Sequence, residues 1–266
     1  PIHAPASTNG HHAPALWLLP AGWRAGDRFP VYAQAVQSFD WADFYASYHG
    51  EAYFEWLRTQ LVDEDLADVV LIDSRTGVTE MGGVCTRQMA DVVVSFCVPN
   101  VQNLSGVETM VRSFTRVEIV RKRNRELSVV VVPTRIDVSE LDARNHFEKE
   151  FRHRLDSFTP PVFQTVRSTF WDLTIQYIPK YAYTEKLAIN APDSARELED
   201  AYKKLAAHLV LLAHGPSGSR VRKPYVPELR RVFGPLLPNV LVAYTGTHNE
   251  RVADELRTHL IDQGLT

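Results

Sequence analysis

The chain has 266 residues, is 45% hydrophobic and carries a formal net charge of -3. That is enough to bury a full core, as one large domain or one domain plus a fragment. The near-neutral balance gives no reason to expect nucleic acid or an acidic substrate. Two cysteines, Cys85 and Cys97, exclude a disulfide framework and read as buried thiols in a reducing compartment. There is no apolar run of about 18 residues and no signal-peptide pattern, so a cytoplasmic protein without a membrane span is expected. The chain starts at Pro1 without a methionine and stops at Thr266, which reads as a segment of something longer.

Residues 1–14 are rich in Pro, Ala, His and Ser and are expected to form a flexible segment. His11 and His12 could take a metal, but no spaced partner ligands follow. Residues 15–20 read as a short apolar strand. Residues 41–48 and 51–61 read as two helices, the first capped by Asp40, with aromatic residues at core spacing. Asp40, Asp43 and Glu51 among those aromatics could suggest a glycosidase pair, but sequence closeness does not set carboxylate separation. Exposed helix faces account for them better.

Strand-like runs then follow at 69–73, 92–98, 128–132 and 174–178. Helical segments lie between most of them, notably at 105–125 and 142–154. The basic run at 121–125 falls at a helix end, where cations suit the dipole. Continuous Val/Ile/Leu strands separated by helices imply a mostly parallel α/β sheet with helices on both faces. A long helix at 195–212 places Leu198, Ala201, Leu205, Leu209 and Leu212 on one face, to lie against that sheet. Residues 214–224 read as a linker. A new strand at 240–244 and an amphipathic helix at about 250–263 then look like the opening of a second unit. The expected organisation is a tail at 1–14, an α/β domain at 15–213, a linker at 214–235 and a truncated unit at 236–266.

Ligands of open α/β sheets bind outside the carboxyl ends of the strands. Asp73 ends the run "DVVLID" at such a place, where a carboxylate can hold a water of a Mg²⁺ shell. Gly77 would let a backbone N–H approach a terminal phosphate. Ser74 and Thr76 offer hydroxyls nearby, and Arg75 could meet phosphate charge. A strand, an acid, a turn and a glycine are a weak pattern alone. Three further strand ends agree with it: "SFCVPNVQNLSGV", with Asn103 or Ser105 as helix cap, "VVVVPTRID" and "IQYIP".

Taken in order, "DVVLIDSRTG", "ADVVVSFCVPNVQNLSGV", "VVVVPTRID" and "IQYIP" resemble the ParA/MinD-type branch of P-loop ATPases, a branch with a deviant Walker A motif. The resemblance spans roughly residues 15–212. It implies a P-loop, three-layer fold that binds ATP with Mg²⁺, commonly as a homodimer or higher homo-oligomer. It matches Asp73 to the Walker B aspartate and Gly77 to the switch glycine. It matches Thr134, Arg135 and Asp137 to a base-side Asn-Arg-x-Asp motif, and Pro179 to the proline of a later base-contacting loop. Arg75 and Thr76 stand where the family commonly has two prolines. Thr134 replaces an asparagine whose amide can both donate to and accept from adenine, so base choice is open. Nothing reads G-x-x-x-x-G-K-[ST], and the phosphate loop is expected upstream of Pro1. This stretch by itself is therefore not expected to hydrolyse ATP well. "NVLVAYTGTHNERVADELRTHLIDQG" is similar to the start of a TIR domain.

The expected function is thus a nucleotide-dependent switch ATPase coupled to a TIR-like effector, with Ser74 to Gly83 as the moving segment. A non-hydrolysing scaffold is the first alternative. A regulator of a TIR NAD⁺ hydrolase is the second.

Overall fold

In the computed structural model, residues 29–63, 69–74, 83–114, 126–184, 195–213 and 242–243 are described. The expected tail, the strand at 15–20, the basic run at 121–125, the linker and the helix at 250–263 lie outside them. So do Arg75, Thr76 and Gly77. The chain divides into two compact units, one of Pro1–Met89 with Arg222–Thr266 and one of Ala90–Val221. Each holds its own parallel sheet.

The first unit begins with helices α1 (Phe29–Gln37), α2 (Trp41–Ser47) and α3 (Gly50–Asp63). Asp40 caps α2 as its sequence suggests, its carboxylate accepting from the Asp43 N–H at 2.9 Å. The turn into α3 needs a glycine, because a Cβ on Gly50 would lie 2.5 Å from the Phe44 ring. Trp41 stacks on Phe54, and the Phe44 edge meets the same ring at 6.0 Å. This aromatic set borders a small core of Leu61, Val84 and Met89, with Val70 and Ile72 packed against it. Val84 and Met89 belong to a π-helical segment, Val84–Met89, that the strand-and-helix alternation does not foreshadow.

Strand β1 is only Leu71–Ile72, shorter than the buried run expected at 69–73. Its described ladder is to Val242–Ala243 alone, in parallel. Val69 and Leu71 are mostly exposed, while Ile72 packs against the small core.

The second unit is a three-stranded parallel sheet flanked by helices, in the order β2 (Val92–Cys97), β3 (Ser128–Ile136), β4 (Ile175–Gln176). Val130, Val131 and Val132 are completely buried, as a central strand covered on both faces requires. β3 runs four residues beyond its expected end, through Pro133 to Ile136. Pro133 has no N–H for a ladder, yet it is tolerated there. It pairs with Cys97, the last residue of β2, and β4 begins opposite the next residue, Thr134. The imino residue therefore falls where one ladder ends and the other starts.

Helix α4 (Val101–Phe114) buries Leu104, Val107, Val111 and Phe114. It starts before either expected cap. Asn100 does the capping, its side-chain oxygen accepting from the Asn103 N–H at 2.7 Å, while the Asn103 side chain accepts from the Val98 N–H. Helix α5 (Leu141–Leu155) contributes Phe147, Phe151 and Leu155. Arg154 ties α5 to α4 through Ser105 Oγ at 3.1 Å and Glu108 at 3.5 Å. The short helix α6 (Pro161–Thr165) supplies Phe163, and α7 (Pro179–Thr184) follows β4. Helix α8 (Arg196–Ala213) lays Leu198, Ala201, Leu205, Leu209 and Leu212 on the core, as its periodicity predicts. Among the described residues no helix is long and apolar enough to cross a membrane.

A 3-10 turn at Phe170–Leu173 is held by a capping box. Thr169 N–H and Oγ1 both donate to Asp172 Oδ2, at 2.7 and 2.9 Å. This turn carries Phe170 and Trp171 into the core, where Trp171 meets Phe151 at 5.4 Å.

Two stability predictions follow from these contacts. Phe151→Ala removes a fully buried ring and is expected to cost about 3–5 kcal/mol in urea unfolding. A loss under 1 kcal/mol would mean that the core closes around the gap. The Asp172 carboxyl lies below its ordinary range. Burial works upward, but the Thr169 hydrogen bonds and the Lys204 and Arg152 charges outweigh it. A depressed carboxylate stabilises the fold above its unfolded pKa and loses that contribution as pH falls through the folded value. Asp172→Asn should therefore lower the denaturation midpoint at pH 7, with the gap to wild type closing in acid. A gap independent of pH would contradict this.

Candidate functional site

The carboxyl edge of the second unit's sheet is built around a bulge. Thr134 pairs with Ile175 and Ile136 with Gln176, so Arg135 has no counterpart on β4. Arg135 is held at φ 57°, the left-handed region that glycine usually fills. For a non-glycine residue this costs about 1–2 kcal/mol. The bulge sends its guanidinium over the Tyr177 ring at 5.2 Å, and the Tyr177 N–H donates to the Ile136 carbonyl at 2.9 Å. The segments after β3 and β4 are thereby joined. Pro179 lies two residues beyond Tyr177, exposed, as the first residue of α7. The strand expected at 174–178 is shorter and ends at Gln176.

Asp137 follows the bulge and is exposed. Its Oδ1 accepts from Ser139 Oγ at 2.6 Å and from the Ser139 N–H at 2.9 Å, and these bonds hold its carboxyl below the usual range. Oδ2 takes no bond among the described residues. Thr134 is half-buried within the ladder, not in a free loop as expected. Thr134, Arg135, Asp137 and Pro179 thus gather at one sheet edge of one unit.

Asp73 and Ser74 belong to the other unit. Asp73 is exposed just past the carboxyl end of β1, as its sequence position predicts. Ser74 is half-buried and hydrogen-bonds the Cys85 thiol of the π-helical segment. Burial raises the Cys85 pKa, the Ser74 bond opposes that, and the Asp73 charge adds to it. Nearby, Tyr45 Oη donates to Gln88 Oε1 at 2.9 Å, and Gln88 Nε2 donates to the Glu51 carbonyl at 2.8 Å. Burial first, then the charges of Glu51 and Cys85, push the Tyr45 hydroxyl upward. Of the two cysteines only Cys97 is the fully buried thiol expected. Cys85 is half-buried, because it sits on the border of the smaller core.

Among the described residues no three His, Cys, Asp or Glu side chains gather as a metal site. One exposed carboxylate beside a hydroxyl is still an oxygen donor set compatible with Mg²⁺, which keeps most of its waters. Asp73 and Ser74 fit a water-mediated role. The sequence reading missed Tyr177 and the bulge. The aromatic in "IQYIP" was the available signal for the first, and no residue type announces the second.

Neither thiol is poised as a nucleophile, and Cys97 is pushed up to about 12 by burial. A rise from 9.0 to about 12 cuts the thiolate fraction at pH 8 about a thousandfold. In the folded protein Cys97 should resist N-ethylmaleimide at least that strongly relative to the urea-unfolded chain. Equal labelling of both states, read by mass spectrometry, would refute its burial.

No family model matches this chain, and neither a curated protein nor a solved structure is significantly similar to it.

Proposed function

We propose that the chain belongs to a nucleotide-dependent switch ATPase of P-loop type, resembling the ParA/MinD branch and acting as a homodimer or higher homo-oligomer. The observation that carries the reading is the strained Arg135 bulge joined to Tyr177. It brings together the two segments assigned to the base, at the strand ends where parallel sheets bind ligands. Strained residues of this kind collect at ligand-binding and active sites, which supports the reading.

In this reading the exposed Arg135 and half-buried Tyr177 present a flat, cationic face to the adenine of ATP. Asp137 offers Oδ2, and Pro179 stiffens the start of α7. By the sequence resemblance, Asp73 with Ser74 beside it would hold Mg²⁺ through water, and the bound ion would supply charge neutralisation at the phosphate oxygens. Arg75, Thr76 and Gly77 retain their proposed phosphate-side roles, which rest on the sequence resemblance. The tail from residue 236 is proposed as a TIR-like effector.

A non-hydrolysing scaffold is the second reading. It is favoured by Asp137, whose Oδ1 already closes its own turn.

The test is Mg²⁺-dependent ATP turnover by the full-length protein. Asp73→Ala should abolish turnover while the circular dichroism spectrum stays native. Arg135→Ala and Tyr177→Ala should raise KM about tenfold, roughly 1.4 kcal/mol of lost binding. Turnover undiminished in Asp73→Ala would remove the metal-side assignment. Binding unchanged in both base-side variants would remove the other half. Absence of turnover in wild type, with ATP still bound, selects the scaffold.

A further inference from the structure

A concavity of the same unit uses none of Thr134, Arg135, Asp137, Tyr177 or Pro179. It is a cleft of about 260 Å³ beside β4. Val138 gives it an exposed apolar wall, with Ile136 and Trp171 all but buried behind it. Arg144 from α5, Lys204 from α8 and Gln176 from β4 give it donors.

Arg144 is the unusual member. It is half-buried, and its Nε is shielded from solvent without a hydrogen-bond partner among the described residues. Its neighbours on the same helix are paired: Arg152 with Glu148 at 2.8 Å, Arg154 with Glu150 at 3.5 Å. Arg144 makes no such ion pair among the described residues. A shielded guanidinium donor left open is costly unless something accepts from it. Lys204 stands exposed on the cleft wall, also without an ion pair within 4.0 Å among the described residues.

The remaining polar groups compensate these cations only in part. Asp172 is the carboxylate in the lining; it feels the Lys204 charge, and its Oδ2 is engaged by both Thr169 donors. The Thr174 hydroxyl gives its proton to the Trp171 carbonyl at 2.6 Å. The side chains therefore sum to one net positive charge: two cations against one carboxylate.

We propose that this cleft binds a small phosphate monoester with an apolar body. The Arg144 fork suits two oxygens of one group, and Lys204 adds a point charge for the third. The Gln176 amide supplies a neutral donor. Val138 would receive the apolar part, with the edge of Trp171 beneath it. A volume slightly under the roughly 300–1,000 Å³ of drug-sized pockets limits the ligand to a small molecule. A carboxylate has one oxygen fewer for the same donors and binds more weakly. This site is independent of the nucleotide reading and shares none of its residues.

The test is isothermal titration of the full-length protein with phenyl phosphate, inorganic phosphate and benzoate. Chloride at matched ionic strength is the control. Phenyl phosphate should bind saturably, inorganic phosphate more weakly for lack of the apolar contact, and benzoate more weakly than phenyl phosphate. The indole N–H resonance of Trp171 should shift with the same saturation curve. Arg144→Lys, which keeps the charge and loses the fork, should weaken phenyl phosphate about tenfold. Lys204→Gln, at an exposed position, should weaken it severalfold. The proposal is overturned if no ligand saturates, if chloride reproduces the response, or if both variants bind as wild type does. ATP at saturation should leave phenyl phosphate binding intact. Competition between the two would place the phosphate ester in the nucleotide site and overturn the second one.

Discussion

From Val129 to Pro133, strand β3 has no solvent face. Three successive valines, Val130 to Val132, are sealed from water, and the flanking elements of the second unit follow from that requirement. A strand buried on both sides needs neighbours on both edges and helices on both faces, because its backbone groups have no water to bond and its side chains have no exit. β2 satisfies one edge over six residue pairs, and β4 satisfies the other over two. α4, α5 and α8 deliver the apolar stripes that close the core. The polar chemistry is displaced to the carboxyl end, where β3 finally leaves the interior.

How it leaves sets the geometry of the edge. A regular ladder would continue the alternation of the strand through Arg135. The bulge breaks that alternation by one residue and holds Arg135 in a left-handed conformation. The guanidinium over Tyr177 and the Tyr177 bond to Ile136 help to offset that strain. Two loops distant in sequence thus act as one surface.

The parts that could be read beforehand are those in which one periodicity dominates. The valine runs of β2 and β3 and the leucine face of α8 each have a core to answer to, so their patterns carry through. The parts that could not be read depend on pairing. Val69 to Asp73 is as apolar as β2, yet forms a two-residue strand, because strand length is decided by its neighbours. Asn100, Asn103 and Ser105 all have cap chemistry, and only the geometry of the turn picks Asn100. Asp73 stood where expected, whereas the Arg135 bulge and the unpaired Arg144 leave no mark in residue type. Both arise from what lies opposite them in space.

β4 is the thinnest piece of this arrangement. Two residues of ladder, interrupted by a register shift, fasten an edge strand to a core otherwise locked by the six pairs of β2 with β3. Such a margin opens locally at a free energy well below that of the whole unit. When it does, Tyr177 and the start of α7 come away while β2 and β3 stay closed. The hinge of this half of the molecule is therefore the seam itself, and amide exchange would run outward from Gln176 before it reached any valine of the centre.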